Sequence, residues 1–182
     1  LCLFMLTTLC GCSNSNKNES SKTLNAAMFW ISTSLDPTNN YDGWVLSRIG
    51  VGETLLKLNE KYEVEPSLAK SYEQIDDTTW KLTLKDHITF SNGNKVTGEN
   101  VKACLERAFE KNTRAIDYFD LNHVEADKQD VYLYLNKSSG AILNNLCEPL
   151  FTIYDASQSE VDIAKHPLCT GPFVVDDFVS EK

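Results

Sequence analysis

The chain has 182 residues and a formal net charge of −9 at pH 7. This length is sufficient for a folded part with its own apolar core. Because neutralising a nucleic-acid backbone requires several converging Lys and Arg side chains, the acidic balance argues against nucleic acid as a partner.

The first segment of the chain is apolar and ends in cysteine. Residues 1–11, LCLFMLTTLCG, carry no charge and are too short to span a bilayer, which is typical of a secretory signal peptide, here without its start. The order Leu9-Cys10-Gly11-Cys12 resembles the lipobox of bacterial lipoproteins. That resemblance implies that Cys12 is acylated and holds the protein at the extracytoplasmic face of the cell membrane. The alternative is a frayed apolar N-terminus.

A polar segment separates this region from the rest of the chain. Residues 13–22, SNSNKNESSK, are Ser- and Asn-rich, a composition that cannot form a core. We therefore expect residues 12–23 to combine the lipidated Cys12 with a flexible tether. The folded part is expected at 24–182.

Two elements are predicted at the start of the folded part. Residues 24–33, LNAAMFWIST, alternate in the period-two pattern of a strand. Asp42 is a suitable N-cap for a helix over 43–58, GWVLSRIGVGETLLKL, although Gly50 and Gly52 weaken that prediction.

The next segments favour strands and turns. Residues 63–74, EVEPSLAKSYEQ, predict a connection around Pro66 followed by a short strand or turn. Residues 78–85, TTWKLTLK, alternate apolar and polar side chains, which predicts a half-buried strand. SNGN at 91–94 predicts a turn.

Thr97 is a good N-cap, and residues 98–112, GENVKACLERAFEKN, show the apolar spacing of an amphipathic helix. Residues 130–137, DVYLYLNK, predict another half-buried strand. A short helix capped by Ser139 and ended by Pro149 is expected next. Strands and helices mix without regular alternation, which predicts a mixed α/β (α+β) fold.

The three cysteines of the folded part do not suggest a disulfide or a zinc site. Their number is odd, and their spacing matches no common zinc pattern, so we interpret Cys104, Cys147 and Cys169 as reduced thiols.

No pattern in the sequence indicates catalysis or a resident metal or cofactor. Gly50-Val51-Gly52 is only part of a dinucleotide fingerprint, and no phosphate-binding loop or nucleophile elbow is present. The histidines are far apart in the chain and are expected at the surface or in turns: His87, His123 and His166. The adjacent Asp pairs at 76–77 and 176–177 are interpreted as solvated turns. We expect a binding protein rather than an enzyme.

Residues 65–109 resemble the family 5 extracellular solute-binding proteins of ABC importers. The shared pattern is an acidic turn, an aromatic-led strand, an Asn-Gly turn and a capped helix, here Asp76-Asp77, Trp80, Asn92-Gly93 and Thr97. SLDPTNNYDGW at 34–44 and Thr170-Gly171-Pro172-Phe173 also resemble the family. The chain departs from the pattern at His87 and Cys169.

The resemblance implies the first lobe of a two-lobed periplasmic-binding-protein-like fold, with the second lobe absent from this sequence. In this family the lobes close on a solute and present it to a membrane permease. The solutes include oligopeptides, dipeptides, nickel and metallophore complexes. SRIGVGETLLKL at 47–58 is closer to the nickel and metallophore branch.

Carried over by position, the resemblance also implies a set of ligand-binding residues, in which aromatic faces contact a peptide or chelate and an Arg pairs with a carboxylate. These residues are Asn40, Tyr41, Trp44, Arg114 and Tyr118, and Arg48 is the alternative to Arg114 as the partner of the carboxylate. The alternative is that the aromatic residues belong to the core and the Arg side chains are solvated. No metal ligand set is expected, so nickel would enter as a bound chelate.

The sequence thus predicts an extracytoplasmic solute-binding lipoprotein that delivers nickel chelates or short peptides to an ABC transporter permease. The alternative is a structural or signalling surface lipoprotein with the same fold and no transported solute.

Overall fold

The computed structural model describes residues 32–179. The predicted signal segment, Cys12, the tether and most of the predicted strand at 24–33 lie outside these residues. The elements in chain order are α1 (Asp42–Arg48), β1 (Leu56–Leu58), β2 (Val64–Pro66), β3 (Ala69–Gln74), β4 (Thr79–Leu84), α2 (Gly98–Lys111), α3 (Ala115–Tyr118), β5 (Leu121–Asp127), β6 (Asp130–Leu135), α4 (Ile142–Asn145), a 3-10 helix (Pro149–Phe151) and α5 (Glu160–Lys165).

The main sheet has four antiparallel strands in the order β3-β4-β6-β5. Leu82 on β4 pairs with Val131 on β6, and Leu133 on β6 pairs with Val124 on β5. All four of these side chains are buried, because alternate residues of each strand point to the same face. The strands predicted at 78–85 and 130–137 are therefore confirmed.

Helix α2 covers the sheet and packs against β5 and β6. Its first turn is closed by a capping box: the Thr97 hydroxyl accepts a bond from the Asn100 backbone N–H, and the Asn100 side chain accepts one from the Thr97 N–H. Val101, Leu105 and Ala108 lie on one face and are fully buried. The predicted amphipathic helix is confirmed, and the fold is mixed α/β.

The helix predicted over 43–58 is wrong beyond Arg48. Gly50 has a positive φ of 72°, a conformation that ends the helix and that glycine adopts at little cost. Leu56–Leu58 is instead β1, which pairs with β2 in a separate two-stranded sheet. The connection expected around Pro66 is likewise part of strand β2.

Two further expectations required correction near the end of the chain. Ser139 does not cap the helix after it, because α4 begins at Ile142 with Ala141 at the cap position and no side-chain cap bond. Pro149 begins a 3-10 helix rather than ending α4. Ile142 and Leu146 are fully buried, as their apolar pattern predicted.

The cysteines and histidines of the described residues take the positions expected of them. Cys104 and Cys169 are buried, Cys147 is half-buried, and all three are free thiols. The three histidines are exposed, and His87 has a positive φ of 64°.

Hydrogen bonds join the segment after α1 to a segment near the end of the described residues. The Gly171 N–H donates to the Val51 carbonyl at 3.0 Å, and the Thr170 hydroxyl donates to Glu53 at 2.8 Å. A Cβ on Gly171 would lie 2.3 Å from the Gly50 carbonyl oxygen, so only glycine fits this position.

Candidate functional site

The ligand-binding residues predicted from the sequence converge on one open cleft. Its volume is about 260 Å³, and its lining residues are Tyr41, Trp44, Arg48, Arg114, Tyr118 and Glu148. Five of these were predicted. The sixth predicted residue, Asn40, contributes its backbone carbonyl at the edge of the cleft, and Glu148 was not predicted.

Arg114 is held in place by aromatic and polar contacts. Its guanidinium carbon lies 3.8 Å from the centre of the Tyr41 ring, a stacked cation–π geometry. One terminal nitrogen donates to the Asn40 carbonyl at 3.0 Å, and the other donates to the Tyr118 hydroxyl at 2.9 Å. Because a guanidinium has five N–H donors, these two bonds orient the group and leave it able to bind an anion.

The opposite side of the cleft carries a tryptophan and a carboxylate. The Trp44 indole N–H donates to a Glu148 carboxylate oxygen at 2.7 Å. The Arg48 guanidinium carbon lies 5.3 Å from the centre of the Trp44 ring. Trp44 and Arg48 come from α1 and Glu148 from the residue before the 3-10 helix, so this side of the cleft depends on the contact between those two elements.

Tyr118 stands between these two groups of side chains. Burial raises the pKa of its phenol, and the negative charge of Glu148 raises it further, against an opposing effect of Arg114. The ring of Tyr118 packs edge-on against Phe151, with the ring centres 5.7 Å apart. The phenol therefore stays protonated at neutral pH and can both accept from Arg114 and donate.

The loop that carries Asn40 and Tyr41 is fixed to the segment after α2. The Asn112 side chain donates to the Thr38 carbonyl at 3.0 Å and to the Asn40 carbonyl at 3.3 Å. Its oxygen accepts from the Arg114 backbone N–H at 3.0 Å. Asn112 is buried, so these bonds join the two segments that supply the stacked Tyr41–Arg114 pair.

The loop that carries Asn40 and Tyr41 is also held by contacts with helix α2. Arg107 on α2 forms a two-pronged ion pair with Asp36, at 2.6 and 2.8 Å, and also donates to the Thr38 and Tyr154 hydroxyls. Burial acts to raise the pKa of Asp36, but the bonds from Arg107 and Thr38 outweigh it and hold the pKa below its ordinary value. The carboxylate is therefore ionised at neutral pH and fixes the loop to α2.

A glycine sets the distance between α1 and the 3-10 helix. A Cβ on Gly43 would lie 2.2 Å from the Pro149 carbonyl oxygen, closer than atoms can approach. Gly43 therefore allows α1 to lie directly against the 3-10 helix, and this contact brings Trp44 within hydrogen-bonding distance of Glu148.

Sequence reasoning missed Glu148 because its segment was interpreted only as the end of a short helix. The available signal was an acidic residue directly before Pro149, beside apolar residues that are buried in the fold. Nothing in the sequence links position 148 to Trp44, which is 104 residues away.

Within residues 32–179, no group of three or more His, Cys, Asp or Glu side chains could hold a metal ion. None of the helices in the same range has the length and apolar character needed to cross a bilayer. The chemistry of the cleft is accordingly that of aromatic faces, two guanidiniums and one carboxylate.

Sequence comparison identifies relatives of known type. Residues 63–182 match the family model described as bacterial extracellular solute-binding proteins, family 5 Middle. The nickel-binding protein NikA of Staphylococcus aureus is 32% identical over 170 residues, which is 93% of this chain and 33% of the relative. The glutathione-binding protein GsiB of Escherichia coli is 30% identical over 141 residues, 70% of this chain and 28% of the relative.

Comparison with solved structures finds relatives of the same kind. The crystal structure of S. aureus NikA in complex with Ni(L-His)2 superposes with a TM-score of 0.76 at 31% identity, covering 82% of this chain and 31% of that one. The chain thus spans about a third of the length of the relatives it matches. The matched family is described by the extracellular binding of solutes. On the family match and these likenesses, the chain belongs to the family 5 bacterial extracellular solute-binding proteins.

Proposed function

We propose that the protein is the solute-binding component of an ABC importer and delivers nickel chelates or short peptides to a membrane permease. The observation that carries the proposal is the cleft in which Arg114 is stacked on Tyr41 and bonded to Tyr118. An oriented guanidinium between aromatic rings suits a solute with a carboxylate and a flat or apolar body. The relatives named for nickel and glutathione supply the two solute classes.

The cleft also bears on the alternative of a surface lipoprotein that binds no solute. Such a protein would not require an aromatic-lined cleft, whereas three aromatic side chains line this one: Tyr41, Trp44 and Tyr118. Their presence supports the solute-binding proposal.

The proposal includes the predicted location. Cys12 would carry the lipid, residues 12–23 would serve as the tether, and the folded part from residue 24 would lie outside the cell at the membrane. Metabolic labelling of the bacterial host with a fatty-acid probe tests this, with Cys12→Ser as the variant that should lose both the label and membrane association. Label retained by that variant would contradict the assignment.

Titration calorimetry of the intact gene product tests the solute. Nickel with L-histidine and a dipeptide set are the two titrants, and we expect saturable heat with one of them. Arg114→Lys keeps the charge but loses the planar stacking on Tyr41 and one of the two oriented bonds, so it should weaken binding about tenfold. Lys128→Arg, in the exposed turn between β5 and β6, is the control. Absence of heat with every titrant would refute the proposal.

A further inference from the structure

The cleft contains charges of both signs, on Arg48, Arg114 and Glu148. Within residues 32–179, neither Arg114 nor Glu148 belongs to an ion pair. Arg114 is held by a carbonyl, a phenol and an aromatic face, and Glu148 by an indole N–H. Both groups line the same cleft and are partly exposed.

The contacts of Glu148 leave it able to accept more hydrogen bonds. A carboxylate has about four acceptor sites, and the Trp44 indole at 2.7 Å occupies one of them. Tyr118, whose phenol pKa is raised by burial and then by the charge of Glu148, lines the same cleft. A half-buried carboxylate with free acceptor sites attracts an N–H donor and repels an anion.

From this arrangement we propose that Glu148 is a specificity-determining residue, and that the cleft selects solutes carrying an amino group together with a carboxylate. The amino N–H groups donate to Glu148, and the carboxylate accepts from Arg114. Both a peptide with a free N-terminus and an amino-acid chelate, whose metal-bound amine keeps its N–H donors, meet this requirement. A chelate built from carboxylates alone does not, because it would place negative charge beside Glu148.

This inference rests on the proposed function and adds to it a choice among solutes. It also explains why a carboxylate remains in a cleft with two guanidiniums. A cleft meant for purely anionic solutes would gain affinity from a neutral or basic residue at position 148.

Glu148→Gln tests the inference, because the amide oxygen can still accept from Trp44 while the charge is lost. We would titrate the intact gene product with two matched pairs. The first pair is nickel with L-histidine against nickel with citrate, and the second is a dipeptide against its N-acetylated form. Loss of a charge-assisted bond should weaken binding of the amino-bearing member by about tenfold to a hundredfold. The citrate chelate or the N-acetylated peptide should bind unchanged or more tightly.

Glu73→Gln, on the exposed side of β3 and outside the cleft, is the matched control and should leave every titration unchanged. Thermal melts of both variants check that the fold is intact. If the wild type binds an amino-bearing solute and Glu148→Gln binds it equally well, the inference is refuted while the proposed function stands. If the wild type binds none of the four titrants, both are refuted.

Discussion

Arg107 and Asp36 form a two-pronged ion pair, with Nη2 of the guanidinium 2.6 Å from Oδ2 and Nη1 2.8 Å from Oδ1 of the carboxylate. The two side chains are 14% and 12% exposed. The pair joins α2, which covers the main sheet, to the loop that leads into the cleft. The position of the cleft loop is therefore coupled to the most regular part of the fold.

Replacing Asp36 with Asn should lower the free energy of unfolding by about 2 to 3 kcal/mol, because Arg107 would keep its charge in a largely buried place without a negatively charged partner. Urea denaturation followed by tryptophan fluorescence measures the change. Glu160→Gln is the control, since its ion pair with Lys111 is largely exposed and should matter far less. Equal effects of the two substitutions would contradict the assigned role of the buried pair.

The same ion pair should make stability depend on pH in the acid range. The pKa of Asp36 is below its ordinary value in the folded state, so the unfolded state binds more protons as the pH falls. The stabilisation is therefore complete above the unfolded pKa of about 4 and is lost as the pH falls through the folded pKa. Urea midpoints of wild type and Asp36→Asn should approach each other progressively as the pH is lowered from about 5 through the acid range below about 4. A constant difference over that range would contradict the prediction.

Gly43→Ala should reduce both stability and solute binding. The new methyl group would collide with the Pro149 carbonyl, and α1 would have to move away from the 3-10 helix, which separates Trp44 from Glu148. Overpacking of this kind costs about 1 to 3 kcal/mol. Gly140→Ala is the matched control, because nothing lies within 4 Å of its Cβ position. Thermal melts and calorimetry of the two variants check the prediction, and an unaltered Gly43→Ala protein would overturn it.

The thiols of the folded part should react unequally with an aromatic disulfide reagent at pH 8. Burial raises the pKa of Cys104 to about 12 and that of Cys147 to about 11, and also raises the pKa of the buried Cys169. Since the thiolate is the reactive form, native Cys104 and Cys169 should react very slowly and the half-buried Cys147 faster. In urea all three should react at similar rates. Rapid labelling of native Cys104, located by peptide mass spectrometry, would be inconsistent with its burial.

The sequence predicted the elements whose pattern is local. The alternation in β4 and β6 and the 3.6-residue spacing of α2 each determine which side chains are buried, and the structure confirms all three. The end of α1 was not predictable in this way. It depends on the left-handed conformation of Gly50, which the crossing with Gly171 stabilises from far along the chain.

The cleft residues also divide into those that the sequence predicted and one that it did not. The family resemblance supplied four of the six lining residues by position, Arg48 was added as a candidate partner for a carboxylate, and the structure brings these side chains together. Glu148 could not be found, because its role follows from the packing of α1 against the 3-10 helix at Gly43. A contact between elements distant in sequence leaves no periodic pattern.

The wide separation of the cleft residues along the chain has a consequence for biosynthesis. Trp44 meets Glu148 across 104 positions, and outside the cleft Glu53 meets Thr170 across 117. Neither contact can form during translation until its second residue has emerged from the ribosome, and each requires closure of a long loop. The hairpin of β5 and β6 pairs neighbouring segments and can form without closing a long loop. We expect a nascent chain to acquire its sheet first and to lack the cleft until translation has passed Glu148.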